Sequence, residues 1–129
     1  MPRGYSRERT SVHNLHYHFV WCPKYRKPVL TDEVANRLEH HIEEKADELD
    51  LNILRLAIQP DHVHLFITGN PKLAPNKIIQ QVKGYTSRNL REEFDFGLPS
   101  LWTRSYFVSS AGEVSSQTIE EYIEAQTGR

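Results

Sequence analysis

Residues 52–68 read NILRLAIQPDHVHLFIT, and this segment decides the fold. Residues 52–58 and 63–68 are short apolar runs rich in Ile, Leu and Val, a composition typical of β-strands. Gln59, Pro60 and Asp61 lie between them, and Pro followed by Asp indicates a turn. The segment therefore predicts two strands joined by a turn in the middle of the chain.

Two further elements are predicted upstream. Residues 13–22 (HNLHYHFVWC) alternate in polarity, which indicates a strand. The large side chains on one side of this strand are Leu15, Tyr17, Phe19 and Trp21. Residues 31–49 carry apolar side chains at helical spacing behind Thr31, a candidate N-cap, and therefore predict a helix. A basic loop bounded by prolines, residues 23–28, joins the two elements.

Three elements are predicted downstream. Residues 75–94 indicate a long helix and residues 106–109 a fourth strand. A last helix begins at Ser115 or Ser116 and ends near Gln126. The side chains that the long helix is expected to bury are Ile78, Ile79, Val82, Tyr85 and Leu90.

The predicted order is β-α-β-β-α-β followed by a C-terminal helix. This is the order of the ferredoxin-like (RRM-like) α+β fold, in which two helices cover one face of an antiparallel sheet. The first and third strands are neighbours in such a sheet. The chain contains no internal repeat, low-complexity tract or Gly/Ser linker, so residues 1–129 are predicted to form a single domain.

Composition excludes several classes of protein. No run approaches the roughly 18 apolar residues of a membrane span, and the first ten residues lack the apolar stretch of a signal peptide. Cys22 is the only cysteine, which excludes an intrachain disulfide and a multi-cysteine zinc site. These features predict a soluble, cytoplasmic protein with no membrane partner.

The net charge of −1 hides an uneven distribution. Residues 1–30 have a net charge of +5, residues 31–58 of −5, residues 59–112 of +2 and residues 113–129 of −3. Phosphates respond to local basic patches, so the neutral total does not exclude nucleic-acid binding. On charge alone, a solvated surface is the favoured interpretation.

Two His-x-His motifs lie on predicted strands. His62 and His64 project to the same face of their strand, roughly 7 Å apart, and two imidazoles at that spacing can bind one divalent ion. Taken alone, such a short motif is more often a pair of polar residues on an exposed sheet face. His16 or His18, from the neighbouring first strand, is expected beside this pair as a supporting or DNA-contacting group.

A second candidate pair lies on the last predicted helix. Tyr122 and Gln126 are four residues apart and share a helix face, although a Tyr in such a stripe is more often part of the core. Together with His62 and His64, the pair fits phosphodiester transfer by a tyrosine. A phenol with an unperturbed pKa of about 10 is a weak nucleophile and needs a metal ion to polarise the phosphate. The amide oxygen of Gln126 favours a hard ion, Mg²⁺ or Mn²⁺.

Two basic surfaces are candidate DNA contacts. The loop that contains Lys24, Tyr25 and Arg26 can contact phosphates and stack a base. The second surface is one face of the long helix, which we call the basic helix face. It is formed by Lys77, Gln81, Gly84, Arg88 and Arg91. A glycine inside a helix costs about 1 kcal/mol relative to Ala, which favours close packing or the close approach of a partner there. Taken alone, a basic helix face is more often only solvated.

The sequence resembles the HUH-type single-tyrosine transposases of small bacterial and archaeal insertion sequences, which move as single-stranded DNA. The resemblance extends over residues 13–126. Its motifs are Tyr17-His18-Phe19-Val20-Trp21, Lys24-Tyr25-Arg26, Pro60-Asp61-His62-Val63-His64-Leu65, Lys83-Gly84-Tyr85-Thr86-Ser87-Arg88 and Tyr122-Ile123-Glu124-Ala125-Gln126.

The resemblance implies a role for each candidate residue. His62 and His64 match the metal-binding pair, Tyr122 the nucleophile and Gln126 the third protein ligand, while Lys83 lies in a matching motif and joins Arg88 among the expected DNA contacts. It implies cleavage of one DNA strand with formation of a 5′-phosphotyrosine and a free 3′-OH, then rejoining by another 3′-OH. The resemblance also implies that the protein recognises DNA hairpins near the ends of its insertion sequence. It further implies a homodimer in which the tyrosine helix of one subunit completes the His site of the other.

Two other functions remain open from the residues alone. A catalytically silent ferredoxin-like protein, for example a domesticated relative, would bind hairpins without cleaving them, and Tyr122 would be a core residue. A metal-dependent nuclease would use water in place of tyrosine and leave no protein–DNA adduct. The presence of all four candidate residues in one short chain favours the transposase.

Overall fold

The computed structural model describes residues 15–110 and 116–126. The elements are β1 (His16–Trp21), α1 (Asp32–Glu48), β2 (Ile53–Gln59), β3 (His62–Thr68), α2 (Pro75–Glu93), β4 (Phe107–Ser109) and α3 (Ser116–Ala125), with a 3₁₀ turn at Lys24–Arg26. The four strands form one sheet in the order β2-β3-β1-β4, and each neighbouring pair is antiparallel. The predicted ferredoxin-like α+β fold, with the first and third strands adjacent, is confirmed.

The boundaries of the elements lie close to those predicted. The strand predicted at residues 13–22 is observed as β1, and His13 and Asn14 lie outside the described residues. Ser115, one of the two candidate starts of α3, also lies outside them. Among the helices of residues 15–110 and 116–126, none is long and apolar enough to cross a lipid bilayer.

The core lies between one face of the sheet and the helices α1 and α2. Side chains alternate along a strand, so every second residue of β1 and β3 points to this face. The strand residues that are fully buried there are Phe19, Trp21, Val63, Leu65 and Ile67. The helix residues packed against them include Leu38, Ile42, Ile78, Ile79 and Leu90. Each such side chain contributes roughly 1.5–3 kcal/mol by burial, which fixes the register of β3 and with it the direction of its histidines.

The opposite face of the sheet carries the histidines, and we call it the histidine face. Its polar residues on the two central strands include His18, His62 and His64. Residues directly opposite each other in an antiparallel pair share a face, and Val20 pairs with both His64 and Phe107. One row across this face therefore runs from Phe107 on β4 through Val20 on β1 to His64 on β3.

The buried stripe of α2 differs from the prediction at one position. Tyr85, predicted to be buried, is only partly buried, because its hydroxyl donates to Glu44 Oε1 at 2.7 Å and its ring packs under Lys45 Nζ. Thr86 is the fully buried residue in this turn of the helix. Its Oγ1 accepts a hydrogen bond from Trp102 Nε1 at 3.1 Å. The indole N–H of Trp102 therefore has a hydrogen-bond acceptor although it is buried.

Candidate active site

His62 is held at the start of β3 by the residue that precedes it. The Nδ1–H of His62 donates to Asp61 Oδ1 at 2.8 Å, because a carboxylate can only accept. Asp61 in turn forms an ion pair with Arg26, with 3.1 Å between Oδ2 and Nε. This arrangement fixes the ring and leaves Nε2 as the lone-pair nitrogen, the form in which histidine binds metals.

His64 lies next to His62 and is an uncharged imidazole at neutral pH. The centroids of the two rings are 4.9 Å apart. The pKa of His64 is lowered to about 4, mainly by burial, and electrostatic interactions with His62, His18 and Arg55 act in the same direction. His18 Nε2 lies 3.4 Å from His64 Nδ1, so the first strand does bring a histidine beside the pair, as expected. His16 packs its ring on Phe66 instead.

Tyr122 and Gln126 meet at Ser105, a residue that no sequence motif indicates. Ser105 Oγ lies 3.3 Å from the Tyr122 hydroxyl and donates to Gln126 Oε1 at 3.0 Å. A serine hydroxyl has one proton, so in this contact Tyr122 donates to Ser105. Gln126 Nε2 also donates to the backbone oxygen of Tyr122 at 3.1 Å, which confirms that the two residues share a helix face. Gln126 is buried, whereas Tyr122 is half-buried.

The helix α3 lies on the histidine face. The Tyr122 ring packs on Phe107, with centroids 6.2 Å apart, and Phe107 is in the same row as His64. Neighbouring strands are about 4.8 Å apart, so the backbones of Phe107 and His64 are separated by roughly 10 Å. Arg26 forms a second connection, since its Nη1 lies 3.7 Å from Glu124 Oε2 on α3 while its Nε contacts Asp61. The fold thus brings the Tyr122–Gln126 pair and the His62–His64 pair to one side of the sheet.

Lys83 has partners within the chain that the sequence did not predict. Its Nζ donates to the backbone oxygens of Thr103, Arg104 and Ser105 at 2.8, 3.3 and 2.9 Å. Burial lowers the pKa of Lys83 to about 8. Since these bonds use all three ammonium protons and fix the segment that carries Ser105, Lys83 supports the tyrosine site from α2. A contact between Lys83 and DNA remains a prediction.

The loop after β1 has two features of a functional segment. Tyr25 and Arg26 both have positive φ angles, 60° and 53°, a conformation that non-glycine residues rarely adopt. Tyr25 is 42% exposed, and Lys24 Nζ lies 5.6 Å from the centre of its ring. The loop therefore presents an aromatic ring and a cation to solvent, while Arg26 is turned towards Asp61. DNA contacts of these three residues remain predictions.

The basic helix face is open. Lys77, Gln81, Gly84, Arg88 and Arg91 are all exposed. Apart from its two neighbours and the backbone of its own helix, a Cβ added at Gly84 would meet no atom within 4 Å among residues 15–110 and 116–126. Close packing against these residues, one of the two explanations for this glycine, is therefore wrong. The close approach of a partner remains the explanation to test.

Comparison with known proteins shows the family to which the chain belongs. Residues 11–126 match the family described as IS200-like transposases. The chain is 32% identical over 133 residues to the ISDra2 transposase TnpA of Deinococcus radiodurans, which covers 98% of this chain and 94% of that protein. It is 26% identical to the transposase for insertion sequence element IS200 of Salmonella typhimurium, with 88% of this chain and 77% of that protein covered.

Two solved structures are similar. A Deinococcus radiodurans protein described as a transposase superposes with a TM-score of 0.86 at 32% identity, over 94% of this chain and 97% of that chain. A REP-associated tyrosine transposase bound to a REP hairpin superposes with a TM-score of 0.60 at 14% identity, over 88% of this chain and 64% of that chain, a likeness of fold alone. The family match extends over nearly the whole chain, and a full-length relative is more than 30% identical. The chain therefore belongs to the IS200-like transposase family.

Proposed function

We propose that this transposase cleaves and rejoins single-stranded DNA through a phosphotyrosine at Tyr122, with His62, His64 and Gln126 as the protein ligands of Mg²⁺ or Mn²⁺. The observation that carries the proposal is the placement of Tyr122 and Gln126 on the same sheet face as the two histidines. The Tyr122 side chain is only half-buried, so its hydroxyl, beside Ser105, is not enclosed in the core.

The donor groups present fit a divalent metal. His62 is oriented by Asp61 with Nε2 available, and His64 is uncharged, so both imidazoles are in the ligand form. Gln126 supplies an amide oxygen, which in this structure accepts from Ser105 and has a second lone pair for a metal. When bound, the ion supplies Lewis-acid polarisation of the scissile phosphate.

The covalent step balances without a nucleotide cofactor. The phenol oxygen of Tyr122 attacks the phosphorus, a new P–O bond to the tyrosine forms, and the bond to the 3′ oxygen of the preceding nucleotide breaks. The departing oxygen takes a proton and becomes the free 3′-OH. Attack of another 3′-OH on the phosphotyrosine reverses these changes and releases Tyr122. Ser105 accepts the phenol proton in a hydrogen bond before the reaction and thereby orients the ring.

A denaturing gel tests the proposal. The full chain is incubated with labelled single-stranded oligonucleotides and with either Mg²⁺ or EDTA. The oligonucleotides carry the hairpin ends of the protein's own insertion sequence. We expect a protein–DNA adduct that forms only with the metal. Cleavage without an adduct would favour a nuclease that uses water, and binding without cleavage of a verified substrate would favour a silent hairpin-binding protein.

We also propose that two copies of the chain pair and exchange α3, so that Tyr122 and Gln126 of one copy reach, on the histidine face of the other, the position that they have on their own chain here. The resemblance of the sequence motifs supports this arrangement. Mixing a Tyr122→Phe variant with a His64→Ala variant tests it, because only a shared site restores one complete set of residues. Recovery of cleavage in the mixture supports a site shared between two copies. If dimers that contain one chain of each variant have formed and remain inactive, the shared site is contradicted.

Asp61→Asn is expected to weaken metal binding about 10- to 100-fold, the usual effect of altering the partner that orients a metal-binding histidine. The amide removes the negative charge that polarises His62 and breaks the ion pair with Arg26. Calorimetric titration with Mn²⁺ measures the effect. Glu92→Gln, a change of an exposed carboxylate on α2, is the matched control. An unchanged Mn²⁺ affinity in Asp61→Asn would show that Asp61 does not orient a ligand.

Arg88→Ala is expected to weaken binding of a hairpin oligonucleotide and to lower the slope of log affinity against log salt by about one, since one phosphate contact is lost. Arg88 is exposed on the basic helix face, so its removal leaves the core intact. Fluorescence anisotropy at several salt concentrations measures both quantities. Lys72→Ala removes an exposed cation outside both basic surfaces and serves as the control. If Arg88→Ala behaves like Lys72→Ala, the basic helix face does not bind the hairpin.

A further inference from the structure

A cluster of metal-binding side chains lies on α1, on the side of the sheet opposite to the histidine face. It consists of His40, His41 and Glu44, and each contributes one ligand atom to a set in which all atoms lie within 4.8 Å of one another. Since α1 packs on the core face, the sheet separates this cluster from His62 and His64. The proposed transposition chemistry does not use it.

His41 is the most constrained member of the cluster. Its side chain is 4% exposed, its Nε2 lies 3.1 Å from Glu93 Oε2 and its Nδ1 lies 3.4 Å from Glu44 Oε1. Both ring nitrogens thus face carboxylate oxygens, which only accept hydrogen bonds. A neutral imidazole has one N–H, so donation from Nε2 to Glu93 leaves the lone pair of Nδ1 pointing towards Glu44, where a cation can bind.

The distances at Glu44 suit a cation. His40 Nε2 lies 3.2 Å from Glu44 Oε2, on the same exposed side of α1. Ligand atoms about 2.0–2.1 Å from a tetrahedral metal ion are roughly 3.3 Å apart. His40 lies 3.2 Å from Oε2 of Glu44 and His41 lies 3.4 Å from Oε1, so the carboxylate presents one oxygen to each imidazole. Each separation is close to that of neighbouring ligands of such an ion, and the exposed Glu44 side chain can turn so that one of its oxygens serves both.

Residues around the cluster hold the ligands in place. Arg37 binds both oxygens of Glu93 at 3.1 and 2.9 Å, which fixes the carboxylate that faces His41 Nε2 and lowers the pKa of Glu93 to about 2. The Tyr85 hydroxyl donates to Glu44 at 2.7 Å and lowers the pKa of that carboxyl group. A carboxylate hydrogen-bonded to the rear nitrogen of a histidine is the usual support of a metal-binding imidazole.

We propose that His40, His41 and Glu44 form a second metal site, for a borderline divalent cation such as Zn²⁺. Two imidazole nitrogens and one carboxylate oxygen favour Zn²⁺, Co²⁺ or Ni²⁺ over Mg²⁺ or Ca²⁺, which prefer oxygen ligands. Glu93 and Tyr85 belong to α2, so the bound ion also strengthens the contact between the two helices. A cation that binds only the folded chain raises its thermal stability.

Titration of the untagged full chain with Co²⁺ tests the site, because Co²⁺ in such a site has visible absorption. The His62→Ala/His64→Ala variant removes the ligands of the proposed catalytic metal. We expect it to bind one Co²⁺ and to melt at a higher temperature with Zn²⁺ than with EDTA. Adding His40→Ala, at a half-exposed side chain, is expected to abolish both effects, whereas adding His16→Ala leaves them unchanged.

The proposal is wrong if the His62→Ala/His64→Ala variant binds no Co²⁺, or if His40→Ala does not reduce binding. Should that variant fail to fold, His40→Gln in the otherwise unaltered chain decides the matter. We expect the His40→Gln variant to bind one Co²⁺ fewer than the unaltered chain. An equal number of bound Co²⁺ ions in the two proteins would contradict the proposal. These outcomes are independent of DNA cleavage, so they test this site separately from the proposed transposase mechanism.

Discussion

Tyr122→Phe is expected to abolish cleavage and covalent attachment of DNA while hairpin binding persists. The substitution removes only the phenol oxygen, which is the atom that would bond to phosphorus. Loss of a covalent nucleophile lowers rates by as much as roughly 10⁶-fold in other enzymes, so activity should fall below detection. The fold should be retained, because Ser105 can still donate to Gln126 and one lost hydrogen bond costs only about 1 kcal/mol.

Single-turnover cleavage on a denaturing gel, with anisotropy for binding, measures the effect. Tyr25→Phe is the matched control, because it removes the hydroxyl of an exposed tyrosine in the loop after β1 but keeps the ring. We expect the control to cleave normally. Cleavage by Tyr122→Phe at the rate of the unaltered chain would exclude Tyr122 as the nucleophile.

His64→Ala and His62→Ala are each expected to reduce cleavage by roughly 10²–10⁴-fold, since a Lewis-acid metal contributes several kcal/mol to the reaction and each 1.4 kcal/mol is about tenfold in rate. Both side chains lie on the histidine face, while the neighbouring β3 residues hold the core, so the substitutions should leave the sheet intact. Higher Mn²⁺ concentrations should restore part of the activity if one histidine remains.

The rate measured against Mn²⁺ concentration tests this prediction. His16→Ala is the matched control, because His16 also lies on the sheet but packs on Phe66. It should cleave at the normal rate. Normal cleavage by His64→Ala at low Mn²⁺ would mean that the His pair does not hold the metal.

The fold was predictable because its signals are local. Strand alternation in β1 and β3 and the apolar stripes of α1 and α2 appear directly in the sequence, and the turn between β2 and β3 is signalled by Pro60 and Asp61. The exception, Tyr85, has a physical cause. A tyrosine can satisfy its hydroxyl at the edge of the core, and the neighbouring threonine supplies the acceptor that a buried tryptophan needs.

The candidate site was predictable only in part. His62 and His64, and Tyr122 and Gln126, have spacings that bring each pair to one face of its element. Ser105 lies between α2 and β4, where no helical or strand periodicity indicates the direction of a side chain. Its role depends on contacts with residues distant in sequence. The three backbone contacts of Lys83 likewise have no sequence signal. The His40, His41 and Glu44 cluster did have one, a helical spacing of three and four, but polar residues on an exposed helix usually indicate only a solvated face.

Mass spectrometry of the protein–DNA adduct tests directly whether Tyr122 is the residue that bonds to DNA. The unaltered protein is incubated with a hairpin-bearing single strand and Mg²⁺, digested with a protease and a nuclease, and searched for a peptide that carries a nucleotide. We expect a phosphodiester bond between Tyr122 and the 5′ phosphate of the cleaved strand. A nucleotide attached at any other residue, or a cleaved strand with an unattached 5′ end, would contradict it.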